Sequence, residues 1–97
     1  MAVTQSTFNI IKMGAAADAI TGLRKVNFLL WHAKAAAAGH DLVVSDAAGN
    51  VIWVDTADGA NYKNFCPLKN TVNGITVTTM DSGELYVYLE IETLEKV

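Results

Sequence analysis

The chain has 97 residues and a mass of 10.4 kDa, room for one domain with a modest core. Apolar residues at 52% and charged residues at 18% exclude a disordered chain, and a formal charge of −3 without a basic patch argues against nucleic acid as a partner. A single cysteine leaves no internal disulfide and no zinc set.

Residues 1–6 carry no lysine or arginine, so the positively charged start of a secretory signal is not expected. The run Phe28-Leu29-Leu30-Trp31 stops at His32, far short of the ~18 apolar residues of a membrane helix. A chain made and folded in a reducing cytosol is the expectation, with no membrane partner.

Valine, isoleucine and threonine supply 25 of the 97 residues, and these β-branched types suit a pleated, half-buried surface. Glycine and asparagine turn signals recur at short intervals. Together they predict an all-β, single-domain, mainly antiparallel sandwich or small barrel built from hairpins across residues 1–97, with a short N-terminal arm.

In chain order, Phe8 to Met13 reads as a first strand. Ala15 to Ala19 and Ala35 to Ala38 are helix-prone but too short to stand alone, and are expected as loops or single turns. Arg24 to Ala33 reads as a second strand, with Val26, Phe28, Leu30 and His32 opposed to Asn27, Leu29 and Trp31. Both of its faces are largely apolar, which predicts a central position. Asp41 to Ser45 and Val51 to Val54 form a hairpin around Asp46-Ala47-Ala48-Gly49, where aspartate can cap the turn amides and glycine can take a positive φ.

Asn61 to Asn73 contains the only proline, Pro67, and reads as an irregular crossover. A second hairpin is expected from Ile75–Met80 to Leu85–Leu89 around Asp81-Ser82-Gly83. Alternation puts Ile75, Val77 and Thr79 on one face, and Leu85, Val87, Leu89 and Ile91 on the core face of the return strand. Tyr86 and Tyr88 then point away from the core, to solvent or to another subunit. The tail from Glu90 to Val97 is acidic, a strand extension or a frayed end.

Each reactive residue has a plain structural explanation. His32 and His40 lack HxH or HxxxH spacing, and His32 is expected as a hydrogen-bonded histidine at the core edge. Cys66 has no local base, so a small buried thiol is expected rather than a nucleophile. Asp46, Asp55, Asp58 and Asp81 lack the spacing of a calcium loop and read as turn residues. No catalytic, metal or cofactor residues are expected. If Trp53 were exposed beside Tyr86 and Tyr88, the three would form a large apolar patch of the kind found at interfaces.

The segment from Gly39 to Trp53, with Asp81-Ser82-Gly83-Glu84-Leu85-Tyr86-Val87-Tyr88, resembles small virion proteins of tailed bacteriophages. The resemblance implies a structural role on the particle, foremost a capsid decoration (cement) protein that associates with itself and with the major capsid protein, and otherwise a tail or head–tail accessory protein. It brings no catalytic residues. A rival of another class is a soluble carbohydrate-binding module, with Trp31, Trp53, Tyr86 and Tyr88 as stacking platforms. A third is a small enzyme centred on Cys66 or His40.

Overall fold

The computed structural model describes residues 3–5 and 10–90. Seven strands occur there and no helix: β1 (Val3–Gln5), β2 (Ile10–Met13), β3 (Ala19–Ala33), β4 (Asp41–Ser45), β5 (Val51–Thr56), β6 (Tyr62–Met80) and β7 (Glu84–Leu89). They form one antiparallel sheet in the order β1-β2-β7-β3-β6-β4-β5. The all-β, antiparallel expectation holds, and β3 is central, paired on both edges. The expected first strand is described from Ile10 onward, and Ile91 and the rest of the tail lie outside the described residues.

The sheet makes a core by folding over on itself. Between the pairs Ile20–Ile75 and Leu23–Asn73, two residues of β3 oppose one residue of β6. Gly22 and Gly74 sit at this irregularity with φ of +88° and +79°, a region open to glycine at little cost. A Cβ on Gly74 would also come within 3.0 Å of the Ala47 Cβ and 3.1 Å of the Ile20 carbonyl oxygen. Before this point β6 pairs only with β3; beyond it β6 pairs with β4 as well. The inner faces of the two halves then meet. Ile11, Met13, Leu29, Trp31, Leu85 and Val87 from one half cluster with Leu42, Val44, Ile75 and Val77 from the other.

Three expectations are corrected. Residues 62–73 are not an irregular crossover but the first half of β6. Pro67, which lacks an amide proton, is accommodated because this half of β6 pairs on one side only. Second, Val26 does not share a face with Phe28, Leu30 and His32. Asn27 is an extra residue between the pairs Val26–Leu89 and Phe28–Tyr88, and this bulge turns Val26 into the core beside Leu29.

The third correction is topological. Ile75–Met80 and Leu85–Leu89 do not form a hairpin, because β6 and β7 lie on opposite sides of β3. Residues 81–83 do reverse the chain, but they carry it over the end of β3, where the Trp31 Nε1–H donates to the Ser82 carbonyl at 2.9 Å. Thr76 and Thr78 therefore face β4, and the Thr78 hydroxyl lies 3.0 Å from Ser45 Oγ.

The β4–β5 hairpin is as expected. Asp46 Oδ1 accepts from the amides of Ala48 (3.0 Å) and Asn50 (2.8 Å), and Gly49 takes a φ of +91°. These bonds hold the Asp46 carboxyl below the usual range, the Asn50 side chain first among them.

Candidate functional site: the outer face of the sheet

The pairing register lays out the outer face row by row. One row crosses β2, β7, β3 and β6 as Ile10, Tyr88, Phe28 and Pro67. The next outward row is Lys12, Tyr86, Leu30 and Phe65. The row between them, Ile11, Val87, Leu29 and Cys66, points inward, as the period of two requires. Four strands thus present a continuous aromatic and aliphatic surface opposite the core.

This surface is accessible. Phe65 is 58% exposed, Pro67 is exposed, and Ile10, Phe28, Leu30, Tyr86 and Tyr88 are half-buried. Neighbours within the sheet organise the rings. Phe28 and Tyr88 stack with centroids 4.3 Å apart at 13°, and Phe65 meets Phe28 edge-on at 6.0 Å. Such pairs contribute about 0.5–1.5 kcal/mol beyond their area and fix ring orientation.

Charged groups border both ends of the apolar rows. At one end Lys12 Nζ lies 3.3 Å from Glu84 Oε2, and the Tyr86 hydroxyl donates to Glu84 Oε1 at 2.8 Å. These contacts hold the Glu84 carboxyl below its usual range and the Tyr86 hydroxyl above it. At the other end Lys25 Nζ lies 3.8 Å from Glu90 Oε1.

Tyr86 and Tyr88 stand on this face, as alternation predicts, but Trp53 does not join them. Trp53 pairs with the buried Val44 on β5, at the end of the sheet, and packs half-buried against the core. Trp31 is fully buried, so it offers no stacking platform. His32 is exposed on the outer side, opposite Glu84, and is not a core-edge histidine. Phe28 and Leu30 share its face, but that face is the outer one.

His40 is half-buried, accepts the Ala37 amide at Nδ1 (3.2 Å), and lies 3.1 Å from Ser82 Oγ, tying two connections together. Cys66 faces inward against the core, where burial pushes its thiol up, away from the reactive thiolate. Among the described residues no group of three or more His, Cys, Asp or Glu converges to hold a metal ion.

Asp55 is not a turn residue. From β5 it accepts the Tyr62 hydroxyl at 3.0 Å and Asn64 Nδ2 at 3.1 Å, clamping β5 to the first half of β6. Burial first, then the Asp55 carboxylate, raises the Tyr62 hydroxyl above its usual range. With Tyr62 and Tyr86 both raised, each phenol stays protonated in the fold after it would ionise in the unfolded chain. Stability is therefore expected in full below about pH 10 and to fall as pH rises from there through the folded-state values. Urea midpoints measured from pH 8 to 11 check this. The decline should flatten in Tyr62→Phe, and an identical slope in that variant would contradict the clamp.

Phe28, Leu30, Phe65 and Pro67 are site residues that the sequence reading missed. The even-numbered alternation of Phe28 and Leu30 was a usable signal, but Phe65 and Pro67 lay in a stretch whose strand character a proline obscures.

No family model matches the chain, and no curated protein matches it. Among solved structures, a fucose binding module of Streptococcus pneumoniae is similar over 84% of this chain and 70% of that one, at 13% identity and a TM-score of 0.44. A likeness of that size carries no argument about what this chain binds.

Proposed function

We propose that the chain is a non-enzymatic structural module that assembles onto a larger particle through the outer face of β2, β7, β3 and β6. The version favoured by the sequence resemblance is a decoration protein of a tailed-phage head, bound to the major capsid protein and assembled in the host cytoplasm. The observation that supports it is the exposed aromatic and aliphatic surface, built on a sheet whose inner face is committed to the core. Apolar surface bordered by charge is the composition of an interface centre and its rim. A particle presents many copies of its binding site, so a small contact repeated over a symmetric array suffices for tight attachment.

The test is co-sedimentation with the shells produced when the chain is expressed together with the structural genes beside its own. Wild type should sediment with shells. The double variant Tyr86→Ser with Tyr88→Ser should stay folded and remain in the supernatant, since truncated interface anchors typically cost ~1–2 kcal/mol or more each. Phe65→Ser removes a ring already 58% exposed, so it should leave the fold intact and weaken attachment as well. Neighbouring genes that encode no particle proteins would overturn the phage reading. Saturable binding of a monosaccharide, lost in the same variants, would assign the face to a soluble ligand instead.

A further inference from the structure

Charge on the outer face is sorted by strand. β7 and the residue that follows it carry acids at both ends of the apolar rows, Glu84 and Glu90. β3 carries His32 and Lys25 at the same two levels: His32 pairs with Glu84, and the Lys25 carbonyl accepts the Glu90 amide. Between these levels lie Tyr86 beside Leu30 and Tyr88 beside Phe28.

A two-fold axis parallel to the strands, midway between β7 and β3, exchanges the two strands of facing copies. We propose that the outer face pairs with a second copy of this chain about such an axis. The proposal rests on the reading of this face as an assembly surface and names its occupant in the free protein, which a shell subunit displaces on attachment.

The operation places Glu90 of each copy against Lys25 of the other, and Glu84 against His32. The stacked Phe28–Tyr88 pair lies on its own symmetry mate. Lys12 on one flank of the face meets Phe65 from the opposite flank, an ammonium against an accessible ring. The Lys25 and Glu90 charges and the central rings are each matched by an opposite or like-apolar feature, the self-complementarity that an isologous contact requires. The Lys25–Glu90 pair within one copy is long, at 3.8 Å, and exposed, so exchanging it between copies loses little. Two sheets face to face tolerate the offset of about 30° that their twist imposes.

The experiment uses two exposed charge reversals, K25E and E90K, with folding checked by circular dichroism. Wild type should self-associate reversibly in sedimentation equilibrium. Each single variant sets like charges across the axis twice and should associate at least roughly tenfold more weakly. An equimolar mixture of the two restores opposite charge at both contacts, so heterodimers should form where neither variant pairs alone. A geometry without this exchange has no reason to give that result. Wild type that stays monomeric up to roughly 1 mM, single variants that associate like wild type, or a mixture no better than its components would each overturn the proposal. Shell co-sedimentation of the monomeric variants reports on particle attachment by itself, so the two readings fail separately.

Discussion

Gly83→Ala is expected to lose about 2–5 kcal/mol of stability, enough to leave much of a marginal domain unfolded. Gly83 has a φ of +82°, where an alanine costs ~1–2 kcal/mol from its own backbone. The new Cβ would also press on the His32 carbonyl oxygen and lie 2.6 Å from the Ala33 Cα. Those atoms belong to β3, which is held by β6 on one side and β7 on the other, so they cannot retreat cheaply. Overpacking against such a neighbour adds typically 1–3 kcal/mol or more. Gly49→Ala is the control: its φ is +91°, but nothing lies within 4 Å of a Cβ there, so only the backbone cost of ~1–2 kcal/mol applies. Urea denaturation of both variants decides the matter. Equal losses would mean that the 81–83 connection does not cross β3 as closely as described.

Trp31→Ala should cost about 3–5 kcal/mol, the range for deleting a large aromatic from a core. Trp31 is fully buried, meets Tyr62 edge-on at 5.4 Å and 66°, and donates to the Ser82 carbonyl. Truncation thus opens a cavity between the two halves of the folded sheet and strands a backbone acceptor. Trp31→Phe keeps most of the volume and loses the hydrogen bond, so it should cost less than the alanine variant, by at least ~1 kcal/mol. Thermal and urea unfolding of the pair separate the two contributions. A Trp31→Ala loss below about 1 kcal/mol would contradict its burial.

Local chemistry was legible in the sequence wherever one strand and one turn sufficed. The Asp46 turn, the central place of β3, and the outward direction of Tyr86 and Tyr88 all follow from period-two patterning and turn-residue identity. What escaped depended on distant partners. Asp81-Ser82-Gly83 has good turn chemistry, but a turn does not say whether its strands pair or straddle a third. Glycine reads in general as a turn signal, yet Gly22 and Gly74 each sit inside a long strand opposite the other, where the sheet folds over. The Asn27 bulge moves Val26 to the other face, a one-residue phase change that composition does not mark. Residue type alone allows Trp53 to join the tyrosines if exposed, whereas the strand order sets it at the far end of the sheet and against the core. The outer face itself was half visible, because its β6 contribution hid behind Pro67.

Hydroxyl-radical footprinting of the free protein, diluted until it is monomeric, and of the shell-bound protein tests the assembly surface most directly, since it reads side-chain accessibility residue by residue. Bound protein should show strong protection at Phe65, Tyr86 and Tyr88. Val51 and Val54 on β5 are 59% and 58% exposed on a different part of the sheet and should react as before. Protection confined to β5, with Phe65 still fully reactive, would contradict the account.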